Sequence, residues 1–125
     1  SSSPHSALAQ RNLGAMYYLE GDLEKAEGRF RQSLFLNSSE PMAHNNLAAI
    51  YIDRGDFGRA EIELKKELAI NPQYDLALYN LGRVYYQYRR YQEAAALWNE
   101  ALRLNPRLDS AAQALTALQS EAEVK

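Results

Sequence analysis

Apolar side chains recur three and four residues apart in short blocks, and polar turns separate the blocks. Leu47, Ile50 and Tyr51 form one such block, and a second block begins at Phe57 after a turn at residues 55–56. Residues three and four apart share one face of an α-helix. The pattern therefore predicts pairs of short amphipathic helices, each pair folded back on itself as a hairpin.

The hairpin pattern repeats along the chain with a fixed period. Leu13, Leu47, Leu81 and Leu115 lie 34 residues apart. The same step relates further sets of small, large and polar residues: Gly14, Ala48 and Gly82; Tyr17, Tyr51 and Tyr85; Ala26, Ala60 and Ala94; Leu34, Leu68 and Leu102; and Asn37, Asn71 and Asn105. A fixed period of this length is the signature of a repeat architecture. With Ala7 as the start, the repeats cover residues 7–40, 41–74 and 75–108, and residues 1–6 are a predicted linker.

Turn chemistry agrees with the predicted hairpins. Gly-Asp pairs at 21–22 and 55–56 stand between the two helices of the first two repeats. Glycine takes the left-handed conformation that ends one helix, and aspartate caps the next. Asn-Pro pairs at 71–72 and 105–106 end the second helices, because proline cannot continue a helix. The third repeat has Arg89-Arg90 in place of Gly-Asp.

A 34-residue hairpin with Leu-Gly-x-x-Tyr, then Ala-x-x-x-aromatic, then Pro resembles the tetratricopeptide repeat family over residues 7–108. The resemblance implies an all-α fold, a right-handed α-solenoid of three helical hairpins with a seventh, capping helix at 109–122 and a tail at 123–125. It also implies that the first helix of each repeat lines a concave surface that binds another protein. Glu67 stands where the family favours a small buried residue, which predicts either a local pairing or a slight splaying of the second and third repeats.

One asparagine per repeat, at Asn12, Asn46 and Asn80, directly precedes the repeated leucine. An amide offers a donor and an acceptor, which match the C=O and N–H of an extended peptide. The series resembles the asparagine ladder of some family members and predicts that these residues track a ligand backbone. The alternative is that asparagine is common at this position and bonds within the stack. The full predicted binding set adds Arg11, Ala15, Tyr18, Asn45, Ala49, Tyr79, Arg83 and Tyr86.

A chaperone-binding subset of the family holds a peptide's terminal carboxylate with a clamp of basic and amide side chains. Asn46 matches that clamp, and Arg11 is a like-charged substitute. Ala15, Leu76 and Asn80 stand where the subset has Asn, Lys and Arg. Without those groups the clamp is incomplete, so the sequence does not favour chaperone tails as ligands.

Composition excludes several other functions. The 16 acidic and 14 basic residues form no run of one sign, whereas nucleic-acid binding needs a basic stripe. No apolar stretch approaches the roughly 18 residues of a membrane span. The chain has no cysteine, and its two histidines, His5 and His44, are too far apart in sequence for a convincing metal site or catalytic triad. We therefore expect no enzyme activity, no cofactor, no metal, no nucleic-acid partner and no direct membrane insertion.

These patterns predict a protein–protein interaction scaffold that binds a peptide or protein segment in its concave groove. The alternative is a structural module that packs on its parent chain or forms a homo-oligomer through the first hairpin and Leu8, Met42 and Leu76. The first residues, with neither an initiator methionine nor a signal pattern, predict a domain of a larger protein. The compartment stays open, with the cytoplasm as the default and an extracytoplasmic or periplasmic domain as the alternative. Carboxylates of the second helices, including Glu24, Glu27, Glu61 and Glu63, are predicted to face solvent.

Overall fold

The computed structural model describes residues 5–124, with side chains for residues 5–121. This part of the chain is entirely helical, which confirms the predicted all-α class. Residues 1–4 of the predicted linker and residue 125 of the predicted tail lie outside the described residues, and the seventh helix ends at Val124, two residues beyond its predicted end. The helices are α1 (Ala7–Leu19), α2 (Leu23–Leu36), α3 (Ala43–Asp53), α4 (Phe57–Ile70), α5 (Asp75–Gln87), α6 (Tyr91–Leu104) and α7 (Asp109–Val124).

The turns inside the hairpins form as their sequence predicts. Gly21 and Gly55 have φ angles of 84° and 78°, in the left-handed region that suits glycine. Asp22 and Asp56 each accept a hydrogen bond from the backbone N–H three residues later, at 3.1 and 3.2 Å. In the third hairpin Arg89 takes the same conformation, with φ of 61°. The third turn therefore keeps its shape without glycine.

The turns between hairpins are closed by the repeated asparagines. The side-chain oxygens of Asn37, Asn71 and Asn105 each accept a hydrogen bond from the backbone N–H two residues later, at 3.1 Å. Such side-chain bonds stabilise a turn without help from other elements. The first of these turns has Ser38 in place of proline. The asparagine is thus the element common to all three turns.

The two helices of a hairpin cross closely at the small residues of the repeat. A Cβ atom at Gly14 would lie 2.6 Å from the ring of Phe30, and one at Gly82 would overlap the indole of Trp98. Both aromatic side chains are buried in the core. The middle hairpin has Ala48 at the glycine position. The close crossing predicted from the small residues is confirmed.

The hairpins stack in chain order and share one continuous core. Each helix packs on the next, and α3 also contacts α1 and α5, so the first helices form one wall. At the C-terminal end of the stack, α7 packs on α6, with Ala111 fully buried and Leu115 and Leu118 half-buried. The seventh helix thus covers the last hairpin, as a cap must in a linear stack.

Glu67 pairs locally rather than splaying the repeats. Its side chain is only 1% exposed, and its two carboxylate oxygens accept backbone N–H bonds from Met42 at 3.2 Å and Asn45 at 2.9 Å. Those N–H groups belong to the start of α3, which has no side-chain cap of its own. A helix begins with N–H groups that lack partners inside the helix. Glu67 on α4 therefore caps α3 across the hairpin.

Candidate functional site

Four of the predicted binding residues meet in one cleft on the wall of first helices. Ala15 and Tyr18 of α1 and Asn46 and Ala49 of α3 line a cavity of about 170 Å³, together with Leu19 and Phe30. The two alanines have the smallest side chains that a helix carries without loss of helix propensity, and they leave the space open. The cleft is therefore apolar, with the amide of Asn46 as its polar group. We call these residues the concave cleft.

The three asparagines of the predicted ladder have different surroundings. Asn12 is exposed, and its side-chain oxygen lies 3.4 Å from a nitrogen of Arg11. Asn80 is buried and donates to the side-chain oxygen of Asn45 at 3.0 Å. Asn46 is half-buried and makes no side-chain hydrogen bond with residues 5–121. Of the three, Asn46 has the greatest unused capacity for hydrogen bonds.

A polar chain links α3 to α5 beside the cleft. Asn45 is only 4% exposed and accepts from Asn80, whose own oxygen accepts from Arg83 at 3.3 Å. The guanidinium of Arg83 also lies over the ring of Tyr79, 5.8 Å from its centroid. Asn45 and Asn80 are thus hydrogen-bonded to each other inside the stack. Tyr79 and Arg83 remain half-exposed on the wall of first helices.

Arg11 holds the turn between the first two hairpins. One of its nitrogens donates to Glu40 at 3.2 Å and to the carbonyl of Pro41 at 2.9 Å. The Arg11 side chain is 15% exposed and that of Glu40 is 9% exposed. Arg11 therefore has partners within the fold, although the sequence placed it among the groove residues.

Two tyrosines brace successive elements of the wall. The hydroxyl of Tyr18 donates to Asp53 of α3 at 2.8 Å, and that of Tyr86 donates to Glu121 of α7 at 2.6 Å. Burial, followed by the hydrogen bond to Asp53, raises the pKa of Tyr18 to about 12. Both hydroxyls therefore stay protonated as donors at neutral pH. Because Tyr18 also lines the cleft, its bond to Asp53 fixes one side of that cleft.

Comparison with known sequences identifies the repeats. Sequence profiles of the tetratricopeptide repeat match residues 20–75 and 75–108. The second match has the same bounds as the predicted third repeat. The chain belongs to the tetratricopeptide repeat family. Comparison of the sequence with curated proteins finds no significant match.

Solved structures with this fold include other tetratricopeptide domains. The first such domain of Spaghetti, bound to the HSP90 peptide SRMEEVD, is 23% identical with a TM-score of 0.86, over 95% of this chain and 94% of that one. The Arabidopsis OM64 domain is 25% identical with a TM-score of 0.85, over 91% and 94% of the two chains. MamA is 20% identical with a TM-score of 0.83, over 98% of this chain and 71% of that one. These similarities confirm the helical repeat fold.

Two cleft residues were not predicted as part of the tetratricopeptide groove. Leu19 is 86% exposed at the end of α1, and Phe30 belongs to the buried stripe of α2. The exposed leucine is a signal in the sequence, because it stands where the second and third repeats have Asp53 and Gln87. Phe30 gave no such signal, because its position in the repeat is a core position.

The prediction that second-helix carboxylates face solvent is wrong for Glu27, Glu61 and Glu63, whose side chains are 19%, 19% and 14% exposed. Glu27 binds Arg31 of its own helix at 2.7 Å and Arg54, the residue that follows α3, and its side chain is 19% exposed. Burial opposes ionisation of Glu27, but the hydrogen bonds from Arg54 and Arg31 outweigh it and lower the pKa of the carboxyl. Glu63 is 14% exposed and pairs with His44. Glu27 and Glu63 thus each have a partner in α3 or directly after it.

His44 gives the tetratricopeptide stack a pH-dependent contact. Its Nδ1 lies 2.8 Å from Glu63 and its Nε2 lies 3.0 Å from the carbonyl of Ser38, so both ring nitrogens face acceptors. Burial opposes the charged ring, but these hydrogen bonds outweigh it and raise the pKa of His44 above 6.5. At the positions equivalent to His44 and Glu63, the first repeat has Gln10 and Arg29. These two side chains also form a hydrogen bond, but neither changes its charge near neutral pH.

We expect the His44 contact to stabilise the fold more at pH 6 than at pH 8. A raised folded-state pKa adds stability that is fully present below the unfolded value of 6.5 and is lost as pH rises through the folded value. His44→Gln, which copies the first repeat, should remove this dependence. Urea unfolding of both proteins across this pH range measures the difference. An equal pH profile for the two proteins would show that the histidine does not carry it.

Two further properties of the described residues concern membranes and metals. None of the helices within residues 5–124 is both long and apolar enough to cross a bilayer. Among residues 5–121, no three His, Cys, Asp or Glu side chains come together as a group that could hold a metal ion.

Proposed function

We propose that this tetratricopeptide domain binds an extended peptide segment through the concave cleft, with one aliphatic side chain of the ligand in the cavity and Asn46 on the ligand backbone. The observation that carries the proposal is an unbonded, half-buried amide at the edge of an apolar cavity. A protein of this family acts as an interaction module, so a peptide or protein segment is the expected class of partner.

The size of the cavity favours a side chain over a small molecule. Its volume of about 170 Å³ is below the roughly 300–1,000 Å³ of pockets that enclose a drug-sized ligand. An aliphatic side chain fills such a space and gains roughly 1.5–3 kcal/mol from full burial. The amide of Asn46 then offers both a donor and an acceptor to the adjacent peptide group. The cleft thus combines an apolar anchor site with a group that recognises backbone.

We propose that two of the three repeated asparagines, and not all three, contact the ligand backbone. Asn46 is the residue proposed to contact the ligand backbone, and Asn12 extends that contact where the ligand is long enough. Asn80 is proposed to act within the stack, because its side chain is buried, donates to Asn45 and accepts from Arg83. Arg83 and Tyr79, which are half-exposed, supply charge and flat contact area beyond the cleft.

The related Spaghetti domain binds the HSP90 peptide SRMEEVD, but that ligand is not favoured for this chain. A clamp for a terminal carboxylate needs charged donors at several positions. Ala15 and Leu76 are apolar at two of these positions, and Asn80 is bonded to Asn45 at a third. The peptide SRMEEVD therefore serves as a negative probe, for which we expect no saturable binding.

The test begins with selection of ligands from a displayed library of random dodecapeptides. Ala49→Trp fills the cavity and serves for counter-selection, so that only peptides that need the cleft are kept. We expect the kept peptides to share an aliphatic residue. If every bound peptide binds Ala49→Trp equally well, the cleft is not the binding site and the proposal fails.

Among the selected peptides, Asn46→Ala is expected to weaken binding by about 1–3 kcal/mol, because a ligand peptide group loses its partner. The melting temperature should stay unchanged, since the Asn46 side chain bonds to nothing in residues 5–121. Asn80→Ala is the matched control. It strands the buried oxygen of Asn45 and should lower stability by about 1–2 kcal/mol. Calorimetric titration and thermal unfolding of both variants measure these effects, and a stability loss with intact binding for Asn46→Ala would contradict the proposal.

A further inference from the structure

The first helices and the capping helix share one row of equivalent residues that contains three alanines and one arginine. The row consists of Ala15 on α1, Ala49 on α3, Arg83 on α5 and Ala117 on α7, at steps of 34 residues. Ala15 and Ala49 line the concave cleft. Arg83 is half-exposed, so it places a charge on the same wall, one repeat beyond the cleft.

Arg83 has no counter-ion within the described side chains. It forms no ion pair with any carboxylate of residues 5–121. The other arginine of the predicted binding set, Arg11, is paired with Glu40 at 3.2 Å. The charge of Arg83 also reaches the cleft, because burial and then Asp53 raise the pKa of Tyr18, and Arg83 opposes that rise. This charge is therefore available to a ligand that lies along the wall.

The guanidinium of Arg83 is held in one orientation by its neighbours. One of its nitrogens donates to the side-chain oxygen of Asn80 at 3.3 Å, and its carbon lies 5.8 Å from the centroid of the Tyr79 ring. Asn80 is itself fixed, because it is buried and donates to Asn45. The remaining N–H groups of Arg83 have no acceptor among residues 5–121. An arginine fork held in this way suits the two oxygens of a carboxylate.

The distance between the cleft and Arg83 sets a spacing for the ligand. Ala49 and Arg83 are equivalent residues on neighbouring first helices that contact each other, and packed helices lie about 8–10 Å apart. In a peptide with the polyproline II conformation, every third residue faces the same surface, and residues three apart are about 9 Å apart. The backbone of such a peptide has no internal hydrogen bonds and can therefore bond to the amide of Asn46.

We propose that Arg83 selects ligands with an acidic side chain three positions from the aliphatic residue that enters the concave cleft. This role of Arg83 rests on the proposed function, because it requires a peptide in the cleft. Asn80 and Asn45 are positioning residues that hold the guanidinium toward the ligand. The bound carboxylate belongs to an internal Asp or Glu of the ligand, so a free C-terminus is not needed.

The spacing agrees with the use of SRMEEVD as a negative probe. The methionine and the valine of this peptide are three positions apart, so neither has an acidic residue at the required distance. Acidic character by itself is thus insufficient, and the position of the acid relative to the aliphatic residue decides whether Arg83 can bind it.

The first experiment repeats the dodecapeptide selection with two proteins, the wild-type chain and Arg83→Gln, each with counter-selection against its own Ala49→Trp form. We expect Asp or Glu to be enriched three positions from the shared aliphatic residue among peptides kept by the wild type. With Arg83→Gln this enrichment should disappear, although the aliphatic residue should remain. Enrichment of Lys or Arg at that position, or of no residue type, would overturn the role of Arg83.

The second experiment measures the contact with one kept peptide and with a form in which its acidic residue is replaced by the matching amide. Calorimetric titration should show about fivefold weaker binding of the amide form to the wild type. The two forms should bind Arg83→Gln equally. Arg83→Lys keeps the charge without the fork and should restore only part of the difference. The wild-type measurements change the peptide alone, so they do not depend on the stability of a variant.

Arg107→Gln is the matched control for the loss of one positive charge. Arg107 is exposed in the turn before α7, away from the wall of first helices, and it also forms no ion pair within residues 5–121. The roughly fivefold difference between the two peptide forms should persist in this variant. Equal loss of the difference in Arg107→Gln and Arg83→Gln would overturn the proposal, because net charge and not position would then be responsible.

The proposed function and the role of Arg83 fail in different ways. If no kept peptide depends on the cleft, the proposed function fails, and the role of Arg83 fails with it. If kept peptides depend on the cleft but their acidic and amide forms bind the wild type equally, only the role of Arg83 is overturned. Amidation of the peptide C-terminus should leave the affinity unchanged. A large loss of affinity on amidation would show that the wall binds a terminal carboxylate and would overturn the assignment to an internal acid.

Discussion

Glu67→Ala is expected to lower the free energy of unfolding by about 2–3 kcal/mol, because two backbone N–H groups at the start of α3, one buried and one partly buried, lose a charged acceptor together. Both donors, on Met42 and Asn45, lie at a helix start that has no side-chain cap of its own. The buried position of Glu67, 1% exposed, leaves no route for water to replace the carboxylate without rearrangement. Urea unfolding of the variant measures the loss.

Ser33→Ala is the matched control, because Ser33 has the same position in the first hairpin. Its hydroxyl donates one neutral hydrogen bond to the carbonyl of Ala7 at 2.7 Å, and α1 has its own cap in Ser6. Loss of that single bond should cost about 1 kcal/mol. If Glu67→Ala costs no more than Ser33→Ala, Glu67 does not cap α3. Because α3 carries Asn46 and Ala49, we also expect Glu67→Ala to weaken ligand binding at the concave cleft.

The architecture could be predicted from the sequence because its determinants are local. The left-handed glycine and the capping aspartate of the first two hairpin turns, and the asparagine that closes each turn between hairpins, all act within a few residues. Repetition at one period then fixes how each hairpin meets the next. In the third hairpin, Arg89 adopts the glycine conformation and the turn keeps the backbone hydrogen bonds of the repeat, although Arg90 provides no side-chain cap.

The differences between equivalent positions could not be predicted, because they depend on side chains contributed by a neighbouring helix. Asn80 is buried since Asn45, 35 residues earlier, offers it an acceptor, whereas Asn46 meets the alanines of the cleft. Glu27 is shielded by Arg54, the residue that follows the next helix, although its own helix places it on a polar face. A repeat pattern predicts where a residue lies in its hairpin. The side chains of the adjacent helices decide whether that residue is buried and which hydrogen bonds it makes.

Gly82→Ala is expected to destabilise the protein by about 1–3 kcal/mol, because a single added methyl group would overlap the indole of Trp98. Trp98 cannot move aside freely. It is 3% exposed, and its ring nitrogen donates to the carbonyl of Tyr79 at 3.0 Å. At the positions equivalent to Gly82 and Trp98, the second hairpin has Ala48 and Leu64.

The double variant Gly82→Ala with Trp98→Leu rebuilds that second-hairpin pair in the third hairpin. Trp98→Leu alone leaves a space beside Gly82 and loses the hydrogen bond from the indole to the Tyr79 carbonyl, so it should also destabilise. Combined, the added methyl group fills part of the space, and the double variant should be more stable than the sum of the single changes by at least about 1 kcal/mol. Chemical denaturation of all four proteins gives this coupling energy. A coupling energy of zero would mean that the two residues do not share one packing site. Because Tyr79 and Arg83 lie on the same helix as Gly82, a ligand that reaches beyond the concave cleft should bind more weakly to Gly82→Ala than to the double variant.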